Sequence, residues 1–445
     1  MGNGFPPSGQ WGTEYYTHQL ATGLAARGVE VQVLHPVRDA DRPRFDLRRT
    51  ERYGLEVFEL ANRGDAQKRF DDSYACDGVE RVFAELLDRE RPDVVHFTHL
   101  LWGLSVRLPG LAKARGARTV VTATDFGLVC HRGQLRDWRG ESCAGPTDHE
   151  RCARCVREPG AWDHAPLRRG AQRLAVGGLA LVGGAGRVVM AEDIAERVDC
   201  VRRSLASVDH WIFPTRALQD ELAVAGVAPR SASQLYYGID ETAYERPRVA
   251  RGAGGVRFVF MSQYMPHKGL ACLLEAVRLL ERRLPESVVP WRVHLHGNGT
   301  GGRGRRYADE VLAHPLPRRV TDCGPFEPLL APEVLASSDC VVVPSEWREN
   351  APLTVLQARA AGVPVLASDV PGVREVLEPG RHGLLFQPGD AAGLAEGMAA
   401  VLRGELDGTQ RAPVVRLTDH LDAVQALHAG GLGRRRAEPL AVATP

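Results

Sequence analysis

The sequence predicts an α/β protein with two doubly wound domains, each a parallel sheet covered by helices on both faces. Three observations carry that prediction. Short apolar strands alternate with helix-length amphipathic stretches along almost the whole chain of 445 residues. The alternation falls into two runs, 1–215 and about 250–405, separated by the Pro-, Arg- and Gly-rich stretch ERPRVARGAGG (245–255), which reads as a linker. The length has room for two or three domains, and 44 % hydrophobic with 25 % charged residues is ordinary globular composition.

The first run opens with a loop over residues 5–14, with two prolines and glycines at 9 and 12. From about Thr13 to Ala26, Leu20, Ala21, Leu24 and Ala25 recur at three- and four-residue spacing, which predicts a helix. VEVQVLHP (29–36) then alternates as a strand. A loop, a helix and a strand are the back half of a β-α-β unit. The first sheet is therefore expected to lack its first strand, and the natural product to start earlier with a short apolar run. PDVVHFTH (92–99), ARTVVTATD (117–125) and DHWIFPT (209–215) are further strands, with LSVRLPGLAKARG (104–116) helical between the first two. In the second run the strands are VRFVFMS (256–262), WRVHLHG (291–297), RVTDCG (319–324), CVVVPS (340–345), VPVLAS (363–368) and GLLFQPG (383–389). A last helix from about Thr418 to His428 presents Leu421, Val424 and Leu427, and the tail 431–445 is expected to be disordered. The domain boundaries read as 1–212, 213–405, a helix region 406–430, and that tail.

A net charge of +1 gives no field favouring nucleic acid, and no uncharged apolar run reaches the roughly 18 residues of a membrane span. Nine cysteines, an odd number and mostly scattered, point to a reducing cytoplasm. The stretch 167–190 has basic residues followed by a Gly-rich apolar run. It reads either as a buried helix or as a peripheral membrane contact.

Doubly wound domains bind ligands beyond the carboxyl ends of their strands. GNGTGG (297–302) satisfies G-x-G-x-x-G, but RGRR follows where a close-packing helix should begin, which argues against a dinucleotide site. The stronger signal is 341–390. After a strand comes a loop with Glu349, then Asn350 as N-cap, Pro352 in the first turn, and a helix to about Ala361 closed by Gly362. The amino end of such a helix offers free amides and partial positive charge to a phosphate or sugar oxygen.

Residues 341–390 resemble the donor-site signature of the family 4 retaining glycosyltransferases, and PDVVHFTH, YYGID and MPHKG fall in that family's order. PHKG with Gln263 ahead of it, PSEWRENAPL and a four-cysteine insertion resemble one bacterial subgroup. The resemblance implies the GT-B fold, two facing Rossmann-like domains with parallel sheets. It also implies transfer of a sugar, with retention, from a nucleoside-diphosphate sugar to an unidentified acceptor, by chemistry that needs no metal. Lys268 would meet the donor diphosphate, Glu349 the sugar hydroxyls, and the amides of Asn350, Ala351, Pro352 and Leu353, proline excepted, would cradle the sugar. Gln263 would stand at the donor, and Gly12 would let backbone approach the donor phosphate.

The departures from the pattern have consequences. The second glutamate of the signature is Gln357, which accepts a ribose hydroxyl without charge assistance, a loss on the order of 1 kcal/mol. Gln263 replaces an arginine, and Thr124, beside Asp125, replaces a histidine. The alternative function is therefore a catalytically weak homologue acting as a binding or partner subunit. His99, Thr124 and Asp125 are the acceptor-side candidates, with His96 and His99 flanking the end of one strand.

Cys130, Cys143, Cys152 and Cys155 lie within 26 residues and end in a C-x-x-C pair, in an insertion (130–155) poor in apolar residues. Structural zinc, reduced thiols and disulfides are all open readings of it.

Overall fold

The computed structural model describes residues 1–7, 11–62, 69–158, 188–249, 255–284, 289–299, 301–325, 327–406 and 411–430. Most of the stretch 167–190, the centre of the expected linker and the tail from residue 431 lie outside these. The chain divides into two compact units, Met1–Tyr236 with the segment starting at Asp419, and Tyr237–Thr418.

In the first unit, β1 (Gln32–Val37) pairs in parallel with β3 (Leu55–Ala61), and β3 pairs antiparallel with β2 (Leu47–Arg52). The β2–β3 hairpin turns on Tyr53 and Gly54, both at positive φ (55° and 70°), the geometry of a tight two-residue connection. A second sheet holds β4 (Val94–Phe97), β5 (Arg118–Thr122), β6 (His210–Phe213) and β7 (Ala232–Gln234), all parallel in that order. Because β6 pairs onto β5 and β7 onto β6, the unit runs to Tyr236, whereas the sequence reading set the boundary at residue 212.

The strands of this unit thus form two hydrogen-bonded sheets. Among the described residues, Met1 and Gly2 bridge the two. The Met1 amine donates to the His96 carbonyl (2.7 Å), Thr98 N–H donates to the Met1 carbonyl (2.8 Å), and Gly2 N–H donates to the Leu34 carbonyl (3.2 Å). Phe5, Ala21, Val33, Leu55 and Val57 form an apolar cluster beneath β1 and β3, with the helix Gly12–Ala25 supplying Ala21. The last helix, Leu417–His428, buries His420, Leu421, Val424 and Leu427. A Cβ on Gly23 would overlap the Leu421 side chain, so the two helices approach closely there.

The second unit has one six-stranded parallel sheet. It contains β8 (Val256–Met261), β9 (Trp291–His296), β10 (Val320–Asp322), β11 (Cys340–Val343), β12 (Val365–Ser368) and β13 (Gly383–Phe386), in the order β10-β9-β8-β11-β12-β13. The central strands β8, β11 and β12 match apolar runs in the sequence because they are buried on both faces, whereas the flanking β9 alternates between buried and more exposed residues. The sheet grows from β8 outward in one direction to β10 and in the other from β11 to β13. Its topological switch point therefore lies between β8 and β11, where doubly wound sheets bind ligands. A helix, Gly301–Leu312, does begin after the GNG turn, against the expectation from RGRR. Gly299 and Gly304 let the turn and the helix touch, since a Cβ on Gly299 would stand 2.2 Å from the Gly304 carbonyl oxygen.

Candidate functional site

Lys268 ends a short helical turn, Pro266–Lys268, just after β8, and Glu349 sits in the loop after β11. The two strands are neighbours, so the switch point brings these side chains together from positions 81 residues apart. Lys268 Nζ donates to Glu349 Oε1 at 2.7 Å, and Ser345 Oγ donates to the same oxygen at 2.6 Å. Glu349 is buried, and Lys268 Nζ lies 4.6 Å from the centre of the Trp347 ring, a cation–π distance. His267 meets the same indole edge-on at 5.0 Å. Ser345 and Trp347 were not singled out from the sequence, although both stand within four residues of Glu349 in PSEWRE.

Glycine fixes both loops. Gly269 has φ +73°, and a Cβ there would stand 1.7 Å from the Pro344 carbonyl oxygen, so the Lys268 turn abuts the start of the Glu349 loop. A Cβ on Gly372 would lie 1.8 Å from the Asn350 oxygen and 2.0 Å from the Glu349 oxygen. Only a residue without a side chain lets the turn Pro371–Arg374 support that loop from behind.

The helix after the loop spans Leu353–Ala361, and its N-cap is Pro352 rather than Asn350. Asn350 turns its side chain away, and Nδ2 donates to the Tyr237 hydroxyl at 3.2 Å. Gly362, at φ +67°, ends the helix as the sequence suggested. Ala351 and Gln357 are buried, with Gln357 in the second turn of this helix. Gln263 lies in the loop after β8, where its carbonyl accepts the Met265 N–H.

In the first unit, Gly12 is the exposed first residue of its helix, which has no side-chain cap. Buried His99 and half-buried Asp125 follow β4 and β5. His99 Nδ1 accepts the Leu101 N–H at 3.0 Å, so Nε2 carries the hydrogen and donates to Asp125 Oδ2 at 2.9 Å. Gly127 N–H donates to Asp125 Oδ1 at 2.8 Å, and Trp102 Nε1 stands 3.4 Å from Oδ2. Burial pushes the Asp125 carboxyl up, but His99 and these donors outweigh it and hold it below its ordinary value. Beside the pair, buried Glu14 is pushed up by desolvation.

Two candidates point elsewhere. Thr124 donates its hydroxyl to the Thr98 carbonyl at 2.9 Å. His96 is part of the interior of the unit, with Nδ1 3.0 Å from His428 Nε2 and Nε2 2.7 Å from the Thr122 hydroxyl.

Cys130, Cys143, Cys152 and Cys155 all line one cavity of about 40 Å³, and all nine cysteines of the chain are free. Among the described residues, three metal-type donor atoms lie within 4.8 Å of one another at His294, His296 and Cys323, on β9 and just beyond β10. No three of the four cysteine sulfurs of the insertion form such a group. No helix among the described residues is long and apolar enough to cross a membrane.

Two α/β units with parallel sheets give the chain the GT-B glycosyltransferase fold. Sucrose-phosphate synthase from Thermosynechococcus elongatus superimposes with a TM-score of 0.59 at 17 % identity, covering 94 % of this chain and 90 % of that one. Anabaena HepE in complex with UDP and glucose superimposes with a TM-score of 0.57 at 14 % identity, covering 96 % and 98 %.

Residues 12–238 match the family described as glycosyl transferase 4-like domain, and residues 255–404 match glycosyl transferases group 1. The chain belongs to this glycosyltransferase family. A D-inositol 3-phosphate glycosyltransferase of Rhodococcus erythropolis is 30 % identical over 385 residues, 84 % of this chain and 75 % of the relative. One of the same name from Nocardia farcinica is 30 % identical over 189 residues, and the chain spans only 41 % of that relative's length and 55 % of an Arthrobacter relative's.

Proposed function

We propose that this chain is a retaining glycosyltransferase that moves a sugar from a nucleoside-diphosphate sugar to a hydroxyl acceptor. The observation that carries the reading is the part-buried Lys268–Glu349 pair at the switch point of the second unit. Each partner neutralises the other in the structure, which offsets the cost of holding two charges away from water. An entering diphosphate takes over Lys268, and Glu349 is then available to accept hydrogen bonds from sugar hydroxyls. The positive end of the helix Leu353–Ala361 and the amides of Asn350, Ala351 and Leu353 hold the same sugar, with Gln263 beside it.

As the bond from the sugar's anomeric carbon to the phosphate oxygen breaks, negative charge grows on the leaving diphosphate, and Lys268 stabilises it there. The acceptor hydroxyl attacks from the same face and gives its proton to the departing phosphate oxygen, so no carboxylate nucleophile is needed. These groups carry the phosphate charge without a metal ion. Gln357 holds a ribose hydroxyl through one neutral hydrogen bond. Gly12, His99 and Asp125 are the proposed groups of the first unit, with His99–Asp125 on the acceptor side.

The family supports a glycosyltransferase, and the UDP complexes of HepE support a nucleotide-sugar donor. The names of the relatives make inositol phosphates the first acceptors to try. A panel of nucleotide sugars against such acceptors, read by mass spectrometry with product anomeric configuration by NMR, tests the proposal. Transfer with retention is expected. Inversion, or binding without turnover across the panel, would contradict it, and the second outcome would favour a partner subunit.

A further inference from the structure

We infer that the four cysteines of the insertion bind one zinc ion as a tetrathiolate, which ties the loop carrying Asp125 to the first unit. Cys130 follows the Asp125 loop, Cys143 lies in the next turn, and Cys152 and Cys155 stand three apart on the helix His149–Arg157, so they share a face. All four line the same cavity, whose volume of about 40 Å³ exceeds what a single small ion needs. A closed Zn–S₄ site places sulfurs about 3.8 Å apart, given Zn–S bonds near 2.3 Å. Four sulfurs at that spacing would need the walls to draw inward around the ion, while Leu135 and Trp138, both buried, hold the middle of the insertion in place.

The charges around the cavity point to an anionic occupant. Arg151 and Arg197 line it, with one carboxylate, Asp137, among the described residues. Arg151 shares that carboxylate with Arg139, at 3.4 and 3.2 Å. Arg197 is only 4 % exposed, and its N–H groups go to the Gly127 and Leu128 carbonyls, with no carboxylate partner among the described residues. A buried guanidinium held only by carbonyls is a poorly compensated charge. A zinc tetrathiolate carries a net negative charge, the sign that the buried Arg197 guanidinium favours. A disulfide is neutral and leaves the arginines as they are.

The surroundings also contain the N–H···S contacts that metal thiolates need. Arg132 Nε donates to Cys155 Sγ at 3.2 Å, and its second nitrogen ties the Cys155 and Glu158 carbonyls at 2.9 and 2.8 Å. Beneath the helix, Ala153, Ile194 and Val198 form a small apolar cluster with Cys152 and Val156 packed on it. That cluster anchors one half of the insertion, and the metal would anchor the other.

The full-length protein, purified under reducing conditions, should carry about one zinc per chain. Exchange for cobalt should give the intense thiolate-to-cobalt bands and d–d spectrum of tetrahedral S₄ ligation. Cys143→Ser and Cys152→Ser should each lose the metal, whereas His296→Ala, at the competing His294–His296–Cys323 cluster, should keep it. If the serine variants fail to fold, the cobalt spectrum of the unmutated chain still decides the ligand set. Metal-free protein with four titratable thiols in the insertion, iron with acid-labile sulfide, a nitrogen-ligated cobalt spectrum, or metal lost only in His296→Ala would each overturn the inference.

Discussion

The two units use the same kind of parallel sheet differently. In the second unit six strands form one unbroken sheet, and its switch point sets Lys268 and Glu349 in contact. In the first unit the sheet is split between β1 and β4, with Met1 and Gly2 spanning the split. Its polar residues are held mainly by each other rather than by strand order. His99 and Asp125 pair across the ends of β4 and β5, and a buried chain runs from His428 through His96, Thr122 and Tyr16 to His420. That chain ends on the Tyr236 carbonyl, which His420 Nδ1–H reaches at 2.9 Å. The difference teaches that continuous strand pairing positions a site rigidly, while a divided sheet leans on buried hydrogen bonds whose strength depends on protonation.

Breaking the rigid site should have the largest effect. Glu349→Ala should lower transfer by about 10²–10³-fold, because it removes the sugar contacts and leaves Lys268 as an uncompensated charge. Steady-state rates with the preferred donor check it, and an unchanged kcat/KM would mean that the donor site lies elsewhere.

The hydrogen-bonded network should respond to acid. Burial holds His420 and His428 down to about 4, and His96 well below its ordinary value. The unfolded chain binds these protons from about pH 6.5 downward and the folded chain does not, so stability is full above that pH and lost as it falls toward 4. Each histidine contributes a slope of about 1.4 kcal/mol per pH unit in that window. Chemical denaturation at several pH values should show the decline, and His420→Asn should flatten it even if it lowers stability at neutral pH. A variant with the unmodified slope would remove His420 from the account.

The smallest effect concerns the altered ribose contact. Gln357→Glu should leave donor binding unchanged or tighten it by up to about 1 kcal/mol, roughly fivefold, by adding charge to one hydrogen bond. Loss of activity in this variant, with Glu349→Ala active, would show that the two positions have been assigned wrongly.

The sequence was most legible where strands are buried on both faces. CVVVPS and VRFVFMS read as strands because burial made them continuously apolar. The hairpin β2–β3 was missed because LRRTER on the outer strand faces water and binds its neighbour through Arg49–Glu56 and Arg52–Glu59 ion pairs, which have no apolar period. β7, only three residues long, leaves no pattern at all. Lys268 and Glu349 were found through their motifs, but Ser345 and Trp347 appear only once the loop is folded back on Lys268. Similarly, nothing in NAPL shows that Asn350 turns to Tyr237 and leaves Pro352 as the cap, because that contact spans 113 residues.

The most direct test is calorimetric titration of nucleoside diphosphates and their sugars into the intact chain and into Lys268→Ala. The account predicts measurable binding of at least one nucleotide by the intact chain and loss of about tenfold or more in the variant, since a cation–diphosphate contact is among the stronger hydrogen-bonded pairs. Equal affinity in the two proteins would contradict the assignment of the Lys268–Glu349 pair as the donor site.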